Sequence, residues 1–185
     1  MFKFPRSILQ PGDKVCEDYY PELSENYYHH YFDQVKRFKV KSVVEIGVRA
    51  GYSAYAMLSA NPKMIYSGYD IDLPNEYGFH DGAFAYAQAM LTSEFPKANL
   101  SFKVQNSQEL SSLPRHFDLA HIDGDHSLHG CTHDLRLCYG TVNIILVDDY
   151  DFVPEVRTAV DQFIVMFKLK HEYVKNFRGM MVIWT

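Results

Sequence analysis

The chain has 185 residues, 18 Lys+Arg against 23 Asp+Glu, a formal net charge of −5 and 47% hydrophobic residues. That length suits one domain, and the balance of apolar and charged residues excludes disordered, collagen-like and disulfide-scaffold proteins. The mild acidity argues against an electrostatic grip on nucleic acid or on an anionic membrane.

Pro5, Pro11, Gly12 and Pro21 predict an irregular segment over residues 1–22. Ser24 is placed to cap a helix reaching about Phe38, with Tyr27, Tyr28, Tyr31, Phe32, Val35 and Phe38 as its apolar stripe. KSVVEIG (41–47) reads as a buried strand, and VRAGYSAYAMLSAN (48–61) as a loop opening into a helix. A second strand follows at 64–72, a polar loop at 74–81 and a helix at 82–96. Strands at 100–105 and 117–123, a helix at 128–139, a strand at 142–149 and a Pro-initiated helix at 154–167 continue the alternation. The segments 171–177 and 179–185 are joined too tightly for a helical crossover, so they pair antiparallel. Alternating strands and helices predict an α/β protein with a mostly parallel sheet covered on both faces. Ligands of such sheets bind outside the carboxyl ends of the strands.

The first strand ends in Glu45-Ile46-Gly47-Val48-Arg49-Ala50-Gly51. Glycines at a strand-to-helix turn let a ligand approach the backbone and the free N–H groups of the helix start. The spacing is G-x-x-x-G, which lacks the G-x-G-x-x-G of a dinucleotide site. The second strand ends at Asp70, where a carboxylate can accept hydrogen bonds from ribose hydroxyls.

EIGVRAGYS and the YSGYDID after it resemble the first two motifs of class I S-adenosylmethionine-dependent methyltransferases. The resemblance runs from about residue 25 to the end, where VKNF-RGMMVIWT resembles the antiparallel last strands of that fold. HIDGDHSLHGCTHDL, with ILVDDYDF after it, is similar to the small branch holding macrocin-type and catechol-type O-methyltransferases. The resemblance implies a Rossmann-like, seven-stranded, mostly parallel sheet with an antiparallel last strand and helices on both faces. It implies one methyltransferase domain over 1–185, with 1–40 as an N-terminal segment and helix and 41–185 as the core. It further implies adenosylmethionine as methyl donor, O-methylation of a small-molecule hydroxyl, and in many members a divalent metal such as Mg²⁺. Carried onto this chain, Glu45, Gly47 and Gly51 would line the methionine part of the cofactor, Asp70 would hold the ribose, and Ser107 and Gln108 would lie beside the adenine.

Asp123, Asp125, Asp148 and Asp149 fall at the carboxyl ends of strands that are neighbours in this fold. Carboxylates so close raise one another's pKa, which a divalent cation or a shared proton relieves. An oxygen-rich set suits Mg²⁺, Ca²⁺ or Mn²⁺. The resemblance assigns the metal to the Asp148-Asp149 pair and one of Asp123 and Asp125, which stays open; Asp123 also borders the cofactor. Asp123 or His126 is the candidate to take the acceptor's proton. His129 and His133 are read as a solvated helical face rather than as zinc ligands. The Tyr27-Tyr28-His29-His30-Tyr31 cluster is read as helix packing on the sheet, and Lys168, Lys170 and Arg178 as surface charge.

Cys16, Cys131 and Cys138 are an odd number without a C-x-x-C pair, which predicts a reduced, cytoplasmic protein. The opening residues lack the apolar core of a signal peptide, and no apolar run nears the ~18 residues that span a bilayer. A homodimer is compatible with this chain. Two other functions are weighed: a non-catalytic adenosylmethionine-binding protein on the same scaffold, and a nicotinamide oxidoreductase, which the missing G-x-G-x-x-G disfavours.

Overall fold

The central strands are too apolar to leave either face in water. In the computed structural model, which describes residues 2–73 and 82–185, β1 (Ser42–Ile46) is buried along its whole length. Burying one Val or Ile side chain contributes about 1.5–3 kcal/mol. Around it stand β2 (Ile65–Asp70), β3 (Asn99–Val104), β4 (Phe117–Ile122), β5 (Val142–Val147), β6 (His171–Val174) and β7 (Met180–Trp184). The order is β3-β2-β1-β4-β5-β7-β6. The first five strands are parallel, and β7 runs antiparallel to both β5 and β6. This is the seven-stranded, mostly parallel sheet expected from the sequence.

Helices cover both faces. Tyr31 and Val35 of α3 (Tyr28–Phe38), Met57 and Leu58 of α4 (Tyr52–Ala60) and Leu91 of α5 (Ala83–Glu94) pack on one face. Leu135 and Cys138 of α6 (Leu128–Cys138) join Val160 and Phe163 of α7 (Pro154–Phe167) on the other. Strand side chains alternate between faces, so Val43, Leu119 and Leu146 belong to the first face and Val44, Ala120 and Ile145 to the second. The same alternation sends Glu45 and His121 to the first face, and the register pairs them directly. Two residues further along, just past the strands, come Asp123 and Asp148. A period of two thus gathers four polar groups beneath α3.

The N-terminal region departs from expectation. Residues 6–8 form a 3-10 turn, and α1 (Lys14–Asp18) and α2 (Tyr20–Asn26) precede α3. Ser24 lies inside α2 rather than capping a helix, and its hydroxyl donates to the Phe4 carbonyl at 3.2 Å. The break falls at Tyr27 (φ −131°, ψ −70°), whose buried hydroxyl reaches across the sheet edge to Asp148. That long-range contact wins over continued helix. The segment is pinned by Asp13, which caps α1 and accepts from Arg49 at 2.8 Å and the Tyr52 hydroxyl at 3.1 Å. The polar loop expected at 74–81 lies outside the described residues. No helix among the described residues is long and apolar enough to cross a membrane. The three cysteines are free and buried.

Candidate active site

The carboxyl edge of the sheet concentrates unusual backbone. Arg49, Asp72 and Asp149, just past β1, β2 and β5, take left-handed φ values of 49°, 49° and 57°. Such residues cost about 1–3 kcal/mol each and cluster at functional sites. Gly47 (φ 86°) is required for a close approach: a Cβ there would lie 2.0 Å from the Asp123 carbonyl oxygen. At Gly51 (φ 76°) a Cβ would lie 2.9 Å from Ala87 of α5. Both glycines therefore have a packing requirement beside the cofactor-lining role expected of them.

Asp70 closes this turn from the side. Its Oδ2 accepts from the backbone N–H groups of Val48 and Arg49, both at 2.8 Å, and its Oδ1 from Asp72 N–H at 2.8 Å. The residue stays half-buried at the edge. A carboxylate has about four acceptor positions, so one remains for a ligand hydroxyl. Gly51 gives α4 no side-chain cap, so its first N–H groups remain for a ligand. Asp70 and the turn thus suit the ribose and the methionine end of a nucleoside cofactor.

Glu45 is not a lining residue. It is fully buried, and its carboxylate accepts from Ser53 Oγ at 2.5 Å and from the Tyr66 hydroxyl, and meets His121 Nδ1 at 2.7 Å. The pleat turns it into the core, where it needs all three partners. Gln108, expected beside the adenine, is bound within the protein. Its Nε2 donates to Asp134 Oδ1 at 3.1 Å and lies 3.3 Å from the Gly130 carbonyl, tying the end of β3 to α6. Ser107 is buried beside it, and its carbonyl meets His133 Nε2 at 3.0 Å, so His133 is not a solvated group. His129 is exposed, as expected.

Asp134 is fully buried, and burial pushes its carboxyl up to about 6, against hydrogen bonds from Ser107 and Gln108. The native state holds this proton more tightly than the unfolded chain, so its contribution to stability falls as pH rises through this range. Asp134→Asn is expected to exceed the wild type in stability at pH 8 by about 2–3 kcal/mol, the gap closing below about pH 4. Denaturant unfolding at both pH values checks this, and a pH-independent gap contradicts it.

The acidic cluster is split. Asp125 is exposed and turned to the start of α6, where its Oδ1 accepts from Ser127 N–H at 2.8 Å. Asp149 is 1% exposed and held by Arg178 at 3.1 Å, with His126 Nε2 at 3.4 Å. Asp148 accepts from Tyr27, and its Oδ1 is buried and unpartnered. Of the two alternatives left open beside the Asp148-Asp149 pair, Asp125 points away, so Asp123 is the one that lies near both, and Asp149 is also engaged by the Arg178 guanidinium. Arg178, read as surface charge, is instead part of this cluster because the tight turn before Gly179 folds it back over Asp149. His121, Tyr27 and Arg178 were absent from the sequence-based site. Only His121 carried a signal, a polar residue two before Asp123 in the apolar second half of its strand.

Charge balance follows from this packing. Burial, with repulsion from Asp123 and Asp149, pushes Asp148 up to about 7. At Asp123 burial raises the carboxyl, but the His126 hydrogen bond and the charges of His126, His121 and Arg178 outweigh it and hold the group below its ordinary range. His126, 3.1 Å from Asp123 Oδ1, is raised to about 9 by that hydrogen bond and by Asp149 and Asp148. It is an imidazolium at neutral pH, which suits a hydrogen-bond donor and leaves Asp123, of the two candidates, as the proton acceptor. Asp123, 30% exposed, is the carboxylate of this group open to an acceptor.

The comparisons agree with this architecture. The model of the family described as "Methyltransferase domain" matches residues 44–150. No curated protein matches the chain. A methyltransferase from Geobacter sulfurreducens superimposes with a TM-score of 0.69 at 10% identity, covering 97% of this chain and 90% of the other. The SAH-bound methyltransferase PaMTH1 of Podospora anserina gives 0.65 at 16% identity, covering 99% and 89%. The O-methyltransferase TomG of Streptomyces achromogenes, in complex with SAM, gives 0.65 at 12% identity, covering 100% and 92%. At these identities the likeness is one of fold. The family match spans more than half of the chain and includes the glycine turn, Asp70 and the acidic cluster: the chain belongs to the methyltransferase-domain family and carries the class I fold of adenosylmethionine-dependent methyltransferases.

Proposed function

We propose that the protein transfers the methyl group of S-adenosylmethionine to a hydroxyl of a small molecule in the cytoplasm. The observation that carries this reading is the placement of two half-buried carboxylates, Asp70 and Asp123, on strands flanking β1 and its glycine turn. Asp70 would accept from the ribose. Gly47 and Gly51 keep side chains away from the methionine end, and Ser107 borders the adenine side. The free cysteines support a reduced compartment.

The chemistry is an in-line displacement. An acceptor oxygen lone pair forms the new O–C bond while the C–S⁺ bond breaks and its electron pair returns to sulfur. Alignment of the three atoms is what the site must supply. As the O–C bond forms, the acceptor O–H becomes strongly acidic, so even a carboxylate of depressed pKa can take the proton. Asp123 is assigned that role, and the His126 imidazolium holds it in place by donating a hydrogen bond. Incubating the protein with adenosylmethionine carrying a labelled methyl group and a panel of small alcohols and phenols tests the reading. Label should appear in a methyl ether; label found only on nitrogen, or on none of the acceptors, contradicts it.

A further inference from the structure

Glu45 faces the core, so the amino-acid end of the cofactor finds its charged partners elsewhere along the glycine turn. The α-carboxylate of that end is an anion, which calls for a cation or for exposed N–H groups. Arg49 is placed to supply the cation. It stands in the turn between Gly47 and Gly51 with a left-handed φ of 49°, a conformation costly for any side chain beyond glycine. Its backbone N–H donates to Asp70 Oδ2 at 2.8 Å, which fixes Arg49 beside the carboxylate assigned to the ribose. Its side chain runs to the N-terminal segment, where Nη2 donates to Asp13 Oδ2 at 2.8 Å and Nη1 lies 3.5 Å from Cys16 Sγ. Tyr52, the first residue of α4, donates its hydroxyl to the same Asp13 oxygen at 3.1 Å. The two members of the ion pair differ in access: Asp13 is 3% exposed and Arg49 30%. The anion is thus enclosed by protein, while the cation keeps a side that a ligand can reach. A guanidinium carries its N–H donors in a planar fork and can bridge two carboxylates. The uncapped N-terminus of α4, next in the chain, favours the same sign of ligand charge.

We propose that the Arg49 guanidinium binds the α-carboxylate of S-adenosylmethionine while its ion pair with Asp13 persists. The assignment rests on the methyl-transfer reading and names the residue that tells the whole cofactor from its bare nucleoside. It also accounts for the strained backbone: glycine would take this φ without strain but would leave the carboxylate without its cation.

The test is calorimetric titration of the full chain with adenosylhomocysteine, with decarboxylated adenosylhomocysteine, which keeps the amine, and with methylthioadenosine, which has neither group. The wild type should prefer adenosylhomocysteine over the decarboxylated analogue by about 10–150-fold, the usual effect of a charge-assisted hydrogen bond. Arg49→Gln keeps the stem and the backbone geometry; it should erase most of that preference and leave the affinity for methylthioadenosine unchanged. Arg49→Lys keeps the charge without the fork and should restore part of the preference. Equal affinity of the wild type for adenosylhomocysteine and its decarboxylated analogue overturns the assignment. So does an Arg49→Gln variant that retains the preference, or one that loses methylthioadenosine to the same degree, since the side chain then only supports the turn. The first comparison is read on the wild type and so decides the matter even where a variant fails to fold. Failure of all three ligands to bind the wild type overturns the adenosylmethionine reading together with this assignment, whereas binding without carboxylate preference overturns this assignment alone.

Discussion

Replacing Asp123 by Asn should lower the rate of methyl transfer by about 10²–10⁴-fold, the usual contribution of a positioned proton acceptor. The amide keeps the shape and a hydrogen-bond acceptor for His126 but can no longer take the acceptor's proton. Affinity for adenosylhomocysteine should be nearly unchanged, because the glycine turn and Asp70 belong to other strands. The electrostatics add a second readout. His126 is held near 9 first by its bond to Asp123, so its pKa should fall in the variant. Full activity in Asp123→Asn would remove this carboxylate from the reaction; lost cofactor binding would make it a structural residue instead.

The largest stability effect is expected at Glu45. Glu45→Leu leaves the Ser53 and Tyr66 hydroxyls and a buried imidazole without their common acceptor. Each buried polar group left without its acceptor costs about 1–3 kcal/mol, so the sum over these three is a large share of the stability of an ordinary domain. Denaturant unfolding measures it. Glu45→Gln, which keeps an acceptor oxygen, should lose less. A Leu variant within 1 kcal/mol of the wild type, taken as roughly the scatter of neutral surface changes, would contradict the account of Glu45 as the centre of this network.

These effects also mark how far the sequence could be read. Strands with both faces buried announce themselves as apolar runs, and Pro154 fixes the start of α7 without tertiary help. That the glycine turn and Asp70 lie at strand ends was legible, because the apolar runs before them fix those ends. Contacts far apart in sequence were not. Tyr27 and Asp148 are 121 residues apart, and their bond decides where α3 begins. Arg178 meets Asp149 only because the β6–β7 turn folds back toward the end of β5. Glu45 was read as a ligand residue because the acidic position was visible, while the pleat that turns it toward His121 depends on the register of two strands. In the same way, four aspartates share one strand-end region, but their partners separate them: Asp125 caps backbone at the start of α6, Asp148 meets Asp123 beside His121, and Asp149 meets it beside His126.

Calorimetric titration with adenosylhomocysteine and with NAD tests the central claim most directly. Adenosylhomocysteine should bind the wild type, and Asp70→Ala should weaken that binding by about 1.5–3 kcal/mol, a loss of roughly 10–150-fold in affinity, as a charge-assisted hydrogen bond to ribose disappears. NAD should give no heat of binding. NAD binding without adenosylhomocysteine binding, or an Asp70→Ala variant that is folded and retains wild-type affinity, would contradict the reading of this strand-end turn as the adenosylmethionine site.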